Sequence, residues 1–365
     1  MVEWAVITIL VGGLIYAAFS YVRILTASSD STREAALLES SPQTVIQYPT
    51  VSGMSSPTAS LAVTTGRTAA PIQSSALLLT GQPASLPVGP KGRIVFTCTP
   101  EKYDQLCLMN ADGSDLIRLT DRKANDYYPS FSPDGKSIIF VSNLTGQFEI
   151  YILDLQLKKE KRVTDGLGIV TAPESSPDGR WIVFASRMSG DSSIWLIPRE
   201  GGKVRSLTDS RWNEVDPSWS PDGTQIAFTG VRGGLVELYV MTLGGSDISN
   251  NPAAGSSFSL RQATQEVLGI GGRSSWSPDG AQLVFYAGSR GDRDIYVVNV
   301  VTGLAARLTF GGNNVDPCFS PDGDWIAFSS SRDGDHEIYV MRADGSEITQ
   351  LTDNTYADWQ PDWGP

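Results

Sequence analysis

Six phenylalanines set the frame of this chain: Phe96, Phe140, Phe184, Phe228, Phe285 and Phe328, at intervals of 44, 44, 44, 57 and 43 residues. Ten residues after each stands an aliphatic side chain: Leu106, Ile150, Ile194, Leu238, Ile295 and Ile338. A threonine closes each unit, at Thr120, Thr164, Thr208, Thr264, Thr309 and Thr352. A period in the forties, with short apolar runs separated by turn residues, is the pattern of propeller blades. It constrains the fold more tightly than any other feature of the sequence.

Each unit reads as four strands, A to D. Strand A carries Pro-x-aromatic-Ser, as in Pro217-Ser218-Trp219-Ser220. A Pro-Asp-Gly turn follows at 133–135, 177–179, 221–223, 278–280 and 321–323. Proline presets its backbone angle, aspartate accepts from nearby main-chain amides, and glycine takes the left-handed conformation that closes the hairpin. Strand B holds the Phe, strand C the aliphatic, with the apolar density of a sheet buried on both faces. Strand D is polar and outermost.

The two ends of the pattern complement each other. Pro361-Asp362-Trp363-Gly364-Pro365 repeats strand A, whereas the first unit, from Lys91, has strands B, C and D but no strand A. The final segment is expected to complete the first sheet and leave no ring-closing edge unpaired. The expected fold is an all-β, six-bladed β-propeller over residues 90–365.

The SPDG-x-x-IAF…EIYVM-x-ADGS…LT pattern of the last unit resembles the WD-like repeat of the TolB C-terminal propeller family. Related repeats occur in the propellers of prolyl-oligopeptidase-type and tricorn-type proteases. The resemblance covers roughly residues 91–365 and is specific to the repeat type, so it implies the propeller fold and not the role of one protein. TolB also carries a small α/β domain before its propeller, and nothing between residues 27 and 90 has the pattern to form one.

Trp4 to Val22 is nineteen residues without a charge, flanked by Glu3 and Arg23. As a helix it would span roughly 28 Å, enough for a bilayer core. The alternatives are a retained anchor within residues 1–25 and a cleaved signal peptide. The length of the run, the lack of an early Lys or Arg, and the lack of a small-x-small site favour the anchor. Residues 26–89 are rich in Ser, Thr, Pro and Ala, which reads as a flexible stalk. Arg23 and Arg33 vote for a cytoplasmic propeller by the positive-inside rule, while a Ser/Thr/Pro stalk suits extracytoplasmic display. The second reading is preferred, with the membrane held through the N-terminal helix. Twelve extra residues lengthen the C–D hairpin of blade four, around Gly244 to Ser259.

Charge excludes one partner class. The formal net charge is −12, and binding a phosphate backbone needs concentrated positive charge, so nucleic acid is not expected. Serine-hydrolase chemistry is disfavoured as well. The single histidine, His336, falls in a turn and reads as an exposed loop residue, and no Gly-x-Ser-x-Gly elbow is present.

Three groups of side chains are candidates for something more. Cys98 and Cys107 bracket the B–C hairpin of blade one, as a disulfide or as two buried thiols. Cys318 reads as a small packing residue. Glu149, Glu237, Asp294 and Glu337 recur at one phase, just before the strand C aliphatic, which argues for a structural role accepting loop amides or pairing with Arg332 or Arg290. Asp126, Glu214, Asp216, Asp316 and Asp358 stand at the start of strand A and are expected to ring one mouth of the channel. There they could hold Ca²⁺ or meet a basic partner segment, or simply cap turns. No other cofactor is expected.

The expected function is a non-catalytic scaffold that takes a protein or peptide partner at the channel face. The alternative is an enzyme or enzyme subunit using the channel acids, with a metal, on a small or carbohydrate substrate.

Overall fold

The computed structural model of the protein describes residues 89–209, 211–244, 259–264 and 267–365. These form six four-stranded antiparallel sheets and, among the described residues, no helix. The first-blade strands B to D are Arg93–Cys98, Gln105–Asn110 and Ile117–Arg118, and its strand A is Asp358–Gly364 from the other end of the chain. Ile94 pairs with Trp363 and Cys98 with Asp358, so the ring closes as the sequence leads one to expect. The Trp363 indole donates to the Lys91 carbonyl at 2.8 Å, pinning the seam.

The remaining A strands are Asp126–Phe131, Val170–Ser175, Val215–Trp219, Ile270–Trp276 and Asn314–Phe319. Each touches the A strands of the blades before and after it, and the six together make a closed inner ring. Successive strands run antiparallel, so A–B and C–D turns fall on one face, here the turn face. B–C turns and D–A connections fall on the other, the loop face.

The core lies between blades. Six clusters of buried side chains each draw on two neighbouring sheets. All six framing phenylalanines are buried, each contributing about 2–3 kcal/mol by removal from water. In four blades the Phe stacks on a strand C tyrosine, as Phe140 does on Tyr151 at 5.8 Å. Strand D is exposed throughout blade two, where Lys159, Lys161 and Arg162 keep the edge charged.

The Pro-Asp-Gly turns behave as their chemistry requires. In each, the preceding serine donates to the aspartate at 2.6 Å. The glycine φ lies between 66° and 79°. The other two sequence markers meet directly. The strand C aliphatic amide donates to the closing threonine hydroxyl in five blades, at 2.8–2.9 Å.

The expected anchor at Trp4–Val22, the stalk and the lengthened hairpin of blade four lie outside the described residues, except for a few residues at the edges of the last two. No helix among the described residues is long and apolar enough to cross a membrane.

Candidate functional site

Strand A of every blade carries a β-bulge against strand B. One residue in each bulge takes a positive φ: Gln360 at 54°, Tyr128 at 52°, Ala172 at 47°, Asp216 at 52°, Gly272 at 42° and Asp316 at 51°. A bulge re-aims side chains, and the left-handed backbone is a cost the surrounding ring sustains at five positions, glycine avoiding it at the sixth. Strand A starts on the loop face, so this ring of bulges stands just inside the loop-face mouth of the channel.

Blade five departs from the other five. Between its paired residues Gly271 and Ser275 it holds one residue more than the equivalent stretch of blade four, and Arg273 is part of this longer bulge. The two glycines before it make room for Tyr286. A Cβ on Gly271 or on Gly272 would come within 2.4 Å of that ring or its hydroxyl. Arg273 then reaches over the channel to the opposite wall. Its Nη2 stands 3.5 Å from the Pro129 carbonyl of blade two and 3.9 Å from the Asp362 carboxylate of blade one.

One layer deeper, the residue after the strand A proline bridges to the next blade. Asp362 accepts from the Phe131 amide at 2.8 Å, and Glu174 accepts from the Trp219 amide at 2.8 Å. In blade five Ser275 plays the same part toward the Phe319 amide. Four carboxylates (Glu174, Asp216, Asp316 and Asp362) therefore face the Arg273 guanidinium, and Asp316 faces Arg293 as well.

The electrostatics reflect that imbalance. Burial pushes Glu174 up to about 8 and, with the Asp316 charge beside it, pushes Asp216 up to about 7. Asp316 and Asp362 are also raised by burial, partly relieved by Arg273 and, at Asp316, by Arg293 too. Burial works against the Arg273 charge, and Asp362 and Asp316 more than restore it. Tyr128 and Tyr286 stand near both bulge aspartates, and burial together with those charges holds their phenols above the ordinary range.

The five acids singled out in the sequence separate into two sets. Asp216 and Asp316 are bulge residues of the channel. Asp126, Glu214 and Asp358 stand two residues earlier, on the far side of the bulge, and lie in polar knots between blades. Asp126 pairs with Arg122 at 2.9 Å, Glu214 with Arg232 at 3.8 Å, and Asp358 accepts from Asn354 at 2.8 Å. Burial raises all three, Asp358 to about 7. Among the described residues no group of three or more His, Cys, Asp or Glu side chains is placed to hold a metal ion.

The recurring strand C acids belong to the same knots. Thr164 donates to Glu149 and Thr352 to Glu337 at 2.5 Å, while Thr309 donates to Asp294 at 2.8 Å. Loop amides of Gly166 and Asn354 fill the remaining oxygens of Glu149 and Glu337. The arginine that joins Asp294 is Arg307, whereas Arg332 donates instead to Ser330 and Asn314. Cys98 and Cys107 form a disulfide across the first-blade hairpin, and Cys318 is buried and free.

His336 corrects an expectation. It is half-buried, with its Nδ1 3.0 Å from the Ser329 hydroxyl, and burial holds its pKa below the ordinary value. That hydroxyl donates to the Asp358 carbonyl and Ser329 is wholly buried, so the pair braces the seam and offers no nucleophile.

The family described as the TolB beta propeller domain matches the chain over residues 145–265 and 257–365. The chain belongs to this TolB family. The solved structure of TolB from Acinetobacter baumannii superposes with a TM-score of 0.65 at 25% identity, covering 75% of this chain and 67% of that one. The structure of a putative TolB from Agrobacterium tumefaciens gives 0.60 at 23% identity, covering 74% and 92%. The Tol-Pal system protein TolB 1 of Novosphingobium aromaticivorans is 39% identical over 67 residues, which are 18% of this chain and 13% of that protein. An uncharacterised protein of Agrobacterium fabrum is 33% identical over 92 residues, 25% of this chain and 31% of its own length. The chain thus spans under a third of either curated relative. No domain precedes the TolB propeller among the described residues.

Proposed function

We propose that this TolB-type propeller is a non-catalytic scaffold that receives a protein or peptide partner at the loop-face mouth of its channel. The observation that carries the reading is the bulge ring. Its two carboxylates, Asp216 and Asp316, face the channel and accept no hydrogen bond from the described residues, whereas Glu149, Asp294 and Glu337 are engaged by threonine hydroxyls. Polar groups left open inside a concave mouth are what recognition sites keep. The one Ser–His pair among the described residues has a wholly buried serine and is committed to the seam, which disfavours the enzyme alternative.

Display outside the cytoplasm, on the expected N-terminal anchor, completes the proposal. The Cys98–Cys107 disulfide supports an oxidising compartment. A match to a protein named for the Tol-Pal system supports an envelope role.

Site-specific photo-crosslinking on the full chain in its native cell tests the reading. Probes at Leu268 and Phe310, on the loop face, should yield one discrete adduct, and a probe at Val301 on the turn face should not. Equal adducts at both faces, or none at either, would remove the proposal. Protease treatment of intact cells should digest the propeller if it is displayed outside.

A further inference from the structure

The junctions between blades follow one plan on the loop face. The amide entering strand A donates to the carbonyl just ahead of strand C in the previous blade, as Asp126 does to Asp104, Glu214 to Ser192 and Asp358 to His336. Two side-chain positions flank that bond, one just before the strand C aliphatic and one at the entry of strand A. Where strand C has no acid there, at Gln105 and Ser193, strand A supplies it as Asp126 and Glu214. Where strand C has one, at Glu149, Glu237 and Asp294, strand A carries Val170, Ile270 and Asn314. One carboxylate therefore serves a junction. The seam between blades six and one is the exception, with both Glu337 and Asp358.

The two seam acids are 1% and 0% exposed. They share one donor, for the Asn354 side-chain nitrogen lies 2.8 Å from Asp358 and 3.4 Å from Glu337. The Thr352 hydroxyl and the Asn354 main-chain amide are spent on Glu337, while Asp358 Oδ1 is buried with no partner. Other junctions bring in a cation: Arg122 pairs with Asp126, Arg232 with Glu214 and Arg307 with Asp294. Neither seam acid has such a pair among the described residues.

The remaining groups around the pair do not supply the missing charge. Tyr356 stands close to both acids, and Asp333 and Asp335 in the turn before Glu337 add negative charge. Arg118, beside Tyr356, is paired with Asp121 at 2.6 Å. His336 meets Asp358 through its main-chain carbonyl, and burial with Arg293 nearby holds its ring below the ordinary pKa. Cys98, opposite Asp358 on strand B, is tied in the disulfide. Two buried carboxylates with a shared donor and no cation are costly to ionise together. A proton held by the pair removes one charge and turns one acceptor into a donor.

We propose that Glu337 and Asp358 form a proton-operated latch on the closing strand. Protonated once, the pair ties the start of Asp358–Gly364 to the sixth blade. When that proton leaves to water, two neighbouring negative charges remain at the root of the strand and loosen it. Burial, with Glu337 beside it, raises Asp358 from 3.8 to about 7. The latch is therefore complete below about pH 4, weakens as pH rises, and is lost once pH has passed through 7. Ring closure thereby answers to the pH around the molecule.

Hydrogen exchange read by mass spectrometry on the full chain tests the latch, with protection corrected for the intrinsic exchange rate at each pH. Protection of Asp358–Gly364 and of its partner Arg93–Cys98 should fall by up to about tenfold per pH unit from pH 5 to 7, then level off. The equivalent pair in blade two, Asp126–Phe131 with Ser137–Ser142, should change far less, because Arg122 stays on Asp126. Asp358→Asn cannot ionise and should hold the strand equally across that range. Glu337→Gln should make the fall level off at lower pH, and thermal melts check that both variants fold. Seam protection that ignores pH, or that falls as much in Asp358→Asn, overturns the inference. So does an equal fall in blade two, which would belong to the whole propeller. Calcium chloride that restores seam protection at pH 8 in the natural protein and not in Asp358→Asn also overturns it, since the pair would then hold a metal ion.

Discussion

Two populations of buried carboxylates occupy this propeller, and they are opposite in character. In the knots, Glu149, Asp294 and Glu337 recur from blade to blade and are met by threonine hydroxyls, loop amides or arginine. In the channel, Glu174, Asp216, Asp316 and Asp362 face Arg273, with Arg293 beside Asp316, and two of them accept no hydrogen bond from the described residues. Burial is similar, so it is not what distinguishes them. Repetition is: a role that every blade needs is filled at every blade, and a role that belongs to one side of the ring breaks the symmetry.

The sharpest way to break this comparison is Arg273→Met. It leaves Glu174, Asp216 and Asp362 without the guanidinium they face, while Asp316 keeps Arg293, and should cost about 3–5 kcal/mol in chemical denaturation at pH 8. The loss should shrink at pH 5, where Glu174 and Asp216, raised to about 8 and about 7, are protonated. A loss independent of pH would mean that Arg273 acts by packing alone. Next in size, Glu337→Ala removes the acceptor for the Thr352 hydroxyl and the Asn354 amide, and should cost about 2–3 kcal/mol. Gly272→Ala follows, at about 2 kcal/mol, because the new methyl meets Tyr286 at a positive φ. Its signature is a shifted tyrosine near-ultraviolet spectrum.

The smallest effect has the opposite sign. Asp216 is raised from its ordinary 3.8 to about 7, so in the folded state it holds a proton that the unfolded chain has lost between those values. Its contribution is most favourable below pH 4 and is lost as pH rises through 7. Asp216→Asn should therefore gain stability relative to the natural protein as pH goes from 5 to 8. A melting-temperature difference that stays flat across that range would place the Asp216 carboxylate in water.

Most of the fold was legible because the blade repeats its own solution. The Phe, the aliphatic ten residues on and the closing threonine appear in sequence as a period, and in space as a core side chain and a hydrogen bond. The channel was only half legible. Asp126 and Asp216 look equivalent by eye, yet the bulge between their positions turns one into a knot and the other into the mouth. Glu174 and Asp362 were missed although a signal existed: they follow the strand A proline where Ser130, Ser218 and Cys318 stand in other blades. Arg273 was missed because the longer bulge of blade five hides it from any alignment on proline. The burial of His336 has no local signal, since the closing strand that covers it lies at the far end of the repeat from the blade it completes.

That closing strand has a consequence for how the molecule is made. Ile94 finds its neighbour Trp363 only after every intervening sheet has been synthesised, and the entropy of joining such distant segments is spent late. The sheet translated first is thus the last to be finished. Until the tail docks, its open flank is a ready template for the tail of another copy, so a crowded nascent population faces a choice between closing on itself and exchanging ends.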